Sequence, residues 1–188
     1  MNKTKRAIFD SAIKIFSGSG YEGATMDVIA VNAGVAKGTL YYHFKSKEEI
    51  FKYVITEGMN VIMEQIEEAT GAEEDSLIKL KILCGVQLRL VYENRDFFKV
   101  IMSQLWGREI RHLEIREVIQ SYLNIIKKHL NEAMEQGVIK KSEISFMAYT
   151  FLGTLCSAAV YELINKDNTD VEDIIENVMQ YILTGIKA

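Results

Sequence analysis

Apolar residues recur at helical spacing along almost the whole chain. Ile8, Phe9, Ala12, Ile13 and Phe16 share one stripe and predict a first helix over residues 4–17, stopped by Gly18-Ser19-Gly20. Thr25 stands before the next helical pattern, where its hydroxyl can cap free N–H groups, and Asp27 in that first turn suits the helix dipole. Val28, Ile29 and Val31 are expected to supply the buried contacts of this second helix. Gly34 permits a sharp turn, and a third short helix is predicted over residues 36–44.

Ser46-Lys47-Glu48-Glu49 reads as a capping box that opens a long helix to about residue 69, with Ile50, Phe51, Val54, Ile55, Met59, Ile62 and Ile66 on its apolar side. After a polar loop at 70–75, a helix is predicted over 76–92. Asn94-Arg95-Asp96 interrupts the pattern. A short apolar helix then reaches Trp106, where Gly107 stops it, and another spans about 109–136 and ends at Gly137. Residues 142–165 form the next segment, and the last helix carries Val171, Ile174, Ile175, Val178, Met179, Ile182, Leu183 and Ile186 on one face. The prediction is an all-α protein of about nine helices.

Composition agrees with that reading. The chain of 188 residues has no proline, and its 48% hydrophobic content is enough to bury a sizeable core. The net charge of −4 is unevenly spread. Residues 1–47 hold seven Lys and Arg against Asp10, Glu22 and Asp27, so a head of +4 precedes a body of −8. A basic head on an acidic body suits a polyanionic partner. Cys84 and Cys156 form no CxxC pattern and read as reduced thiols in a cytoplasmic protein.

One stretch, residues 144–161, is uncharged over eighteen positions, the lower edge of the spanning range. Ser145, Thr150, Thr154 and Ser157 lie within it and Glu143 and Glu162 flank it, so it is expected to be a helix buried on nearly all sides, with no membrane partner. His43, His112 and His129 share no metal-ligand spacing, and no nucleophile motif or phosphate loop is present. Neither a metal, a cofactor nor an enzymatic reaction is expected.

The chemistry concentrates in residues 28–46, where a short helix, a tight turn and a second short helix ending in aromatics follow one another. A recognition helix enters the major groove end-on and is anchored on phosphates. Lys37 lies in the first turn of the third helix, where its charge opposes the helix dipole and a phosphate would reverse the sign. Gly38 and Thr39 keep that end slim. Tyr41, Tyr42 and His43 offer donors and flat surfaces, and Lys47 lies just beyond. Two adjacent tyrosines on a helix cannot both face inward, whereas Phe44 is expected to pack the helices together.

Residues 25–49 resemble the signature of the TetR family of bacterial transcriptional repressors. The resemblance rests on Thr25, Ile29-Ala30, Ala33-Gly34-Val35, Lys37-Gly38-Thr39-Leu40-Tyr41, His43-Phe44 and Ser46-Lys47-Glu48. It implies a three-helix DNA-binding head over residues 1–46 and a larger helical ligand-binding and dimerisation body over 47–188. Thr25, Lys37, Tyr42 and Lys47 would then touch phosphates, with Gly38, Thr39, Tyr41 and His43 near base edges of double-stranded operator DNA. It further implies a homodimer through the last two helices, which suits the helix at 142–165, since its own body supplies a partner on one side only.

An effector cavity among the middle helices is the last implication. Phe97, Phe98, Met102, Trp106, Tyr122 and Phe151 are its candidate walls, with Met59 and Met63 as adaptable ones. Residues 104–165 look similar to members that sense long-chain acyl-CoA, and Arg108, Arg111 and Arg116 could meet an anionic head. A cationic drug-like effector is the competing class, because acidic residues are plentiful. The expected protein is a cytoplasmic, ligand-responsive repressor.

Overall fold

The computed structural model describes residues 1–105, 113–164 and 170–184, and these contain nine α-helices and no strand. They are α1 (Lys3–Gly23), α2 (Met26–Asn32), α3 (Lys37–His43), α4 (Lys47–Thr70), α5 (Ser76–Glu93), α6 (Arg95–Leu105), α7 (Leu113–Glu135), α8 (Ile144–Ile164) and α9 (Val171–Thr184). The chain divides into two compact units, Met1–Met59 with Asp96–Val118, and Asn60–Arg95 with Ile119–Ala188.

The first unit is built from local signals that the structure realises one by one. Asn2 caps α1 by accepting from Lys5 N at 2.8 Å. Gly20 breaks the helix with a positive φ of 68°, three residues before its formal end at Gly23. Thr25 Oγ1 accepts from Val28 N at 3.2 Å, the cap expected of it. Gly34, at φ 65°, makes the turn between α2 and α3, closed by Val35 N donating to Ala30 O at 3.1 Å. Ser46 Oγ accepts from Glu49 N at 3.1 Å, while the Glu49 carboxylate reaches back to Lys45 N at 2.6 Å, one residue beyond the position a capping box would predict.

Two sequence expectations for α2 are corrected. Val28 is 47% exposed and Val31 82% exposed, whereas Ile29 and Ala30 carry the burial. A helix of seven residues makes fewer than two full turns, so it turns only a narrow edge inward. The Ser11 hydroxyl, buried on α1, donates to Ile29 O at 2.8 Å and holds that edge in place.

Below α1–α3 lies an aromatic cluster. Phe16 and Tyr21 stack at 5.9 Å, Phe51 meets both edge-on at 5.0 Å, and Tyr53 touches Phe9 and Phe44. Phe97 of α6 joins it, 6.5 Å from Phe9. The Phe97 ring also lies directly on Gly58 of α4, where an added Cβ would come within 1.9 Å of Cζ. Glycine inside a helix costs about 1 kcal/mol relative to alanine, and the ring seated on it is the reason it stands there.

In the second unit, α5 is capped by Asp75, which accepts from Leu77 N and Ile78 N. Its buried face is Leu80, Leu83, Cys84, Gln87, Leu88 and Val91. α9 lies along α5, with Ile174, Ile175, Val178 and Met179 buried and the ion pairs Arg89–Glu172 and Lys81–Glu176 at the rim. α7 ends as expected at Gly137, φ 73°, with Val138 N donating to Ala133 O at 2.9 Å.

α8 departs from expectation. By length and composition it could cross a bilayer, yet only 28% of the window Ile144–Tyr161 is buried. Ala148, Phe151, Leu155, Cys156 and Ala159 face inward, while Phe146, Tyr149, Val160, Tyr161 and Ile164 are exposed. The reading of this helix as buried on nearly all sides does not hold within one chain, because the second unit covers one face of it and no more.

Candidate nucleic-acid interface and effector region

α3 presents the side chains expected to meet DNA. Tyr42 is 78% exposed and packs edge-on against His43 at 5.2 Å, whereas Leu40 and Phe44 are buried and anchor the helix. Tyr41 is exposed with the Lys37 ammonium 6.0 Å above its ring, and His43 is half-buried. One tyrosine is therefore fully presented and the other lies at the border. Gly38 is exposed, and a Cβ added there would meet nothing within 4 Å. Among the described residues no packing requires glycine at that point.

Sequence reasoning left Lys37 unpartnered. Its ammonium instead contacts both carboxylate oxygens of Asp27, at 2.8 and 2.9 Å. This hydrogen bond raises the lysine above its ordinary pKa, and the attraction of the carboxylate adds to it. Asp27 was noticed only as a dipole partner of α2, because ten residues separate the pair and only the helix-turn-helix brings them together. Lys47 is half-buried, with its ammonium on Tyr21 O at 2.6 Å and 4.4 Å from the Tyr21 ring. Thr25 is exposed at the N-terminus of α2, and Thr39 is half-buried.

The candidate effector residues fall in both units. In the first, Met59, Phe97 and Phe98 are buried and Met102 is half-buried. In the second, Tyr122 and Phe151 are buried, and Met63 is half-buried beside an open groove of about 400 Å³. Asn60, Glu64 and Glu67 of α4 line that groove with Ser121, Asn124 and Ile125 of α7. Trp106 lies outside the described residues, as do Arg108 and Arg111, and Arg116 is exposed.

Sequence reasoning overlooked Gln87. Buried at 7% exposure on α5, it accepts a hydrogen bond from the Tyr122 phenol. Burial holds that phenol well above its ordinary pKa, and the Cys156 and Cys84 thiols add to the shift. Burial pushes Cys84 itself to about 12 and Cys156 to about 11, so all three groups are neutral at physiological pH. A lone glutamine in an otherwise apolar stripe was the signal available in the sequence.

A short helix, a glycine turn and a second helix that presents aromatics and cations at its outer edge define a DNA-binding transcriptional regulator. Family comparison agrees over nearly the full length. The profile "Bacterial regulatory proteins, tetR family" matches residues 8–54, and "YsiA-like protein, C-terminal region" matches residues 55–185. The chain belongs to the tetR family of bacterial regulatory proteins, and it is a ligand-responsive regulator and not an enzyme.

The chain is 28% identical over 184 residues to the Fatty acid metabolism regulator protein of Bacillus subtilis (strain 168), covering 95% of this chain and 93% of that one. A provisionally assigned fatty acid metabolism regulator from Clostridium perfringens is 44% identical with a TM-score of 0.88, over 97% of this chain and 99% of its own. The transcriptional regulator FadR from Bacillus subtilis, solved in complex with stearoyl-CoA, is 26% identical with a TM-score of 0.85, over 97% and 99% of the two chains.

Proposed function

We propose that this protein is a cytoplasmic repressor that binds a palindromic operator as a homodimer and leaves it when a long-chain acyl-CoA enters the body. The observation that carries this reading is the likeness to the stearoyl-CoA-bound regulator, which extends through the body as well as the head. Thr25, Lys37, Tyr42 and Lys47 serve as phosphate contacts, and Gly38, Thr39, Tyr41 and His43 approach base edges. Lys37 must exchange Asp27 for a phosphate on binding. Effector contacts are assigned to Met63, Tyr122 and Phe151 in the second unit and to Met59, Phe97, Phe98 and Met102 in the first, with Trp106 carried from the sequence.

The homodimer is supported by α8. Phe146, Tyr149, Gly153, Ser157, Val160 and Ile164 follow one another at steps of three or four on its exposed side, with Tyr161 next to Val160 and no charge among them. Thr150, Thr154 and Ser157 spend their hydroxyl hydrogens on carbonyls one turn back in the same helix, so these three hydroxyls can be dried without orphaning a donor. A second copy of α8, flanked by Tyr181 and Leu183 of α9, would cover it in a four-helix contact.

Release then requires only that acyl-CoA bind one arrangement of the heads more tightly than the other. Phe97 offers the link, because its ring touches both Phe9 of α1 and the Gly58 backbone of α4. Two heads that fit half-sites about 34–36 Å apart are displaced by a small change at that ring. Binding of the purified protein to DNA flanking its own gene, at two salt concentrations and with palmitoyl-CoA added, tests the reading. Tight, salt-sensitive binding that palmitoyl-CoA abolishes supports it. Binding indifferent to palmitoyl-CoA would remove the effector assignment, and no preference over random DNA would remove the operator.

A further inference from the structure

The first unit carries more positive charge than α3 displays. α1 opens with Lys3, Lys5 and Arg6 and has no acid in its first turn, so these cations oppose the helix dipole as Lys37 does on α3. Arg6 is compensated by Asp10, 3.0 Å away. Lys5 is not. Its ammonium lies 5.7 Å from the centre of the Phe44 ring and 5.2 Å from that of Tyr53, and among the described residues no carboxylate pairs with it. The side chain is half-buried and seated against two rings, so the charge is held in place before any anion arrives.

That place is the C-terminal end of α3, because Phe44 is the residue that closes this helix. Lys45 follows it, exposed, and donates from its ammonium to Tyr41 O at 3.0 Å. An ammonium has three hydrogens, and this bond uses one of them. Lys37 stands at the other end of α3. The seven residues of the helix rise about 10 Å, no more than the ~12 Å width of the major groove. Cations at its two ends therefore reach the phosphates of opposite strands.

We infer that Lys5 and Lys45 are phosphate contacts of the DNA complex, on the strand opposite to the one that Lys37 meets. This rests on the operator-binding reading above and adds α1 to the DNA-contacting surface. Lys37 must leave Asp27 to meet a phosphate, whereas Lys5 exchanges only water. A phosphate contact is the same at every base sequence, so both lysines add affinity and register and leave the choice of site to other residues.

The test measures binding of the full-length protein to operator DNA and to a random duplex of equal length, over a range of potassium chloride concentrations. Lys5→Gln should make the log–log salt slope shallower by about 1 for each head bound. It should weaken both duplexes by the same factor, about tenfold, the worth of one hydrogen bond to a charged group. Lys5→Arg keeps the charge and the ring contacts and should restore the wild-type slope. Lys45→Gln should act as Lys5→Gln does. Lys14→Gln is the control, since Lys14 is exposed on α1 about two and a half turns from Lys5, on the opposite side, and its loss should leave the slope unchanged.

A Lys5→Gln protein that keeps the wild-type thermal midpoint and the wild-type slope would overturn the assignment. An equal loss of slope in Lys14→Gln would overturn it too, because the effect would then belong to net charge. A loss confined to the operator would do the same, and would make Lys5 a positioning residue that acts on α3 through Phe44. The two duplexes separate this inference from the reading it rests on. A wild-type protein with no preference for the operator would sink that reading, while the slopes on random duplex still decide the role of Lys5.

Discussion

The two units differ in where they keep their polar chemistry. In the first, the interior is an aromatic cluster of Phe9, Phe16, Phe44, Phe51 and Phe97, and among the described residues its one buried polar side chain is Ser11, already tied to Ile29 O. The charge and the two tyrosines of α3, Lys37, Tyr41 and Tyr42, stand outside. The second unit reverses this. Its exposed α8 stripe is uncharged, and its interior holds Gln87, Tyr122 and His129. A unit with an aromatic interior and outward polar groups suits a polyanion. A unit with an apolar outside and polar groups within suits a second copy on its surface and a small molecule in its core.

The largest effect should come from the α8 stripe. Phe146→Glu combined with Ile164→Glu places charges on a face that another copy would dry. The protein should run at the mass of one chain in light scattering, and operator affinity should fall by about a hundredfold or more, because two linked heads gain that much by avidity. A variant that keeps twice the chain mass would put the dimer face elsewhere.

Next comes the α3 surface of the first unit. Gly38→Val meets open space in the free protein, so its thermal midpoint should stay near that of the wild type while DNA affinity drops by about ten- to a hundredfold, the equivalent of one to two good contacts. Unchanged affinity would move the DNA face off the first turn of α3.

The interior of the first unit offers a smaller, purely structural effect. Gly58→Ala drives a Cβ into the Phe97 ring and should destabilise by about 1–3 kcal/mol in urea unfolding, despite the better helix propensity of alanine. The same substitution in a Phe97→Leu background should be tolerated. If it is equally damaging there, the ring is not the reason for glycine.

The smallest effect belongs to His129, on α7. Burial lowers its pKa, outweighing the attraction of Glu132, whose carboxylate lies 3.6 Å from Nδ1 and is itself hydrogen-bonded by Lys79 at 2.9 Å. The folded state therefore resists a proton that the unfolded chain accepts near pH 6.5. Stability should be unaffected above that value and should fall as pH drops from about 6.5 toward the lowered folded-state pKa. Glu132, whose pKa is lowered chiefly by the Lys79 hydrogen bond, adds its own loss only in the carboxylate range further down. His129→Leu should flatten the thermal midpoint between pH 7.5 and 5.5, and a slope unchanged by that variant would assign the titration to another group.

Much of this molecule follows from local rules that a sequence states outright. Thr25, Gly34, Ser46 and Gly137 each act within four or five residues of themselves, as cap, turn or stop, and each does so in the fold. Helical spacing marked nine segments because burying one face of a helix requires that spacing whatever the face is packed against. The helix-turn-helix could be read from residues 25–49 because its geometry is set by contacts of short range.

Tertiary structure decided what depends on distant partners. Val28 and Val31 are as apolar as Ile29, and only the position of α1 selects which edge of a two-turn helix is buried. Lys37 finds Asp27, and Phe97 finds Gly58, across separations that no periodicity encodes. α8 is apolar on every side, so its pattern could not say which half its own chain covers. Gln87 looked like one more polar residue on a long helix until α7 set Tyr122 against it.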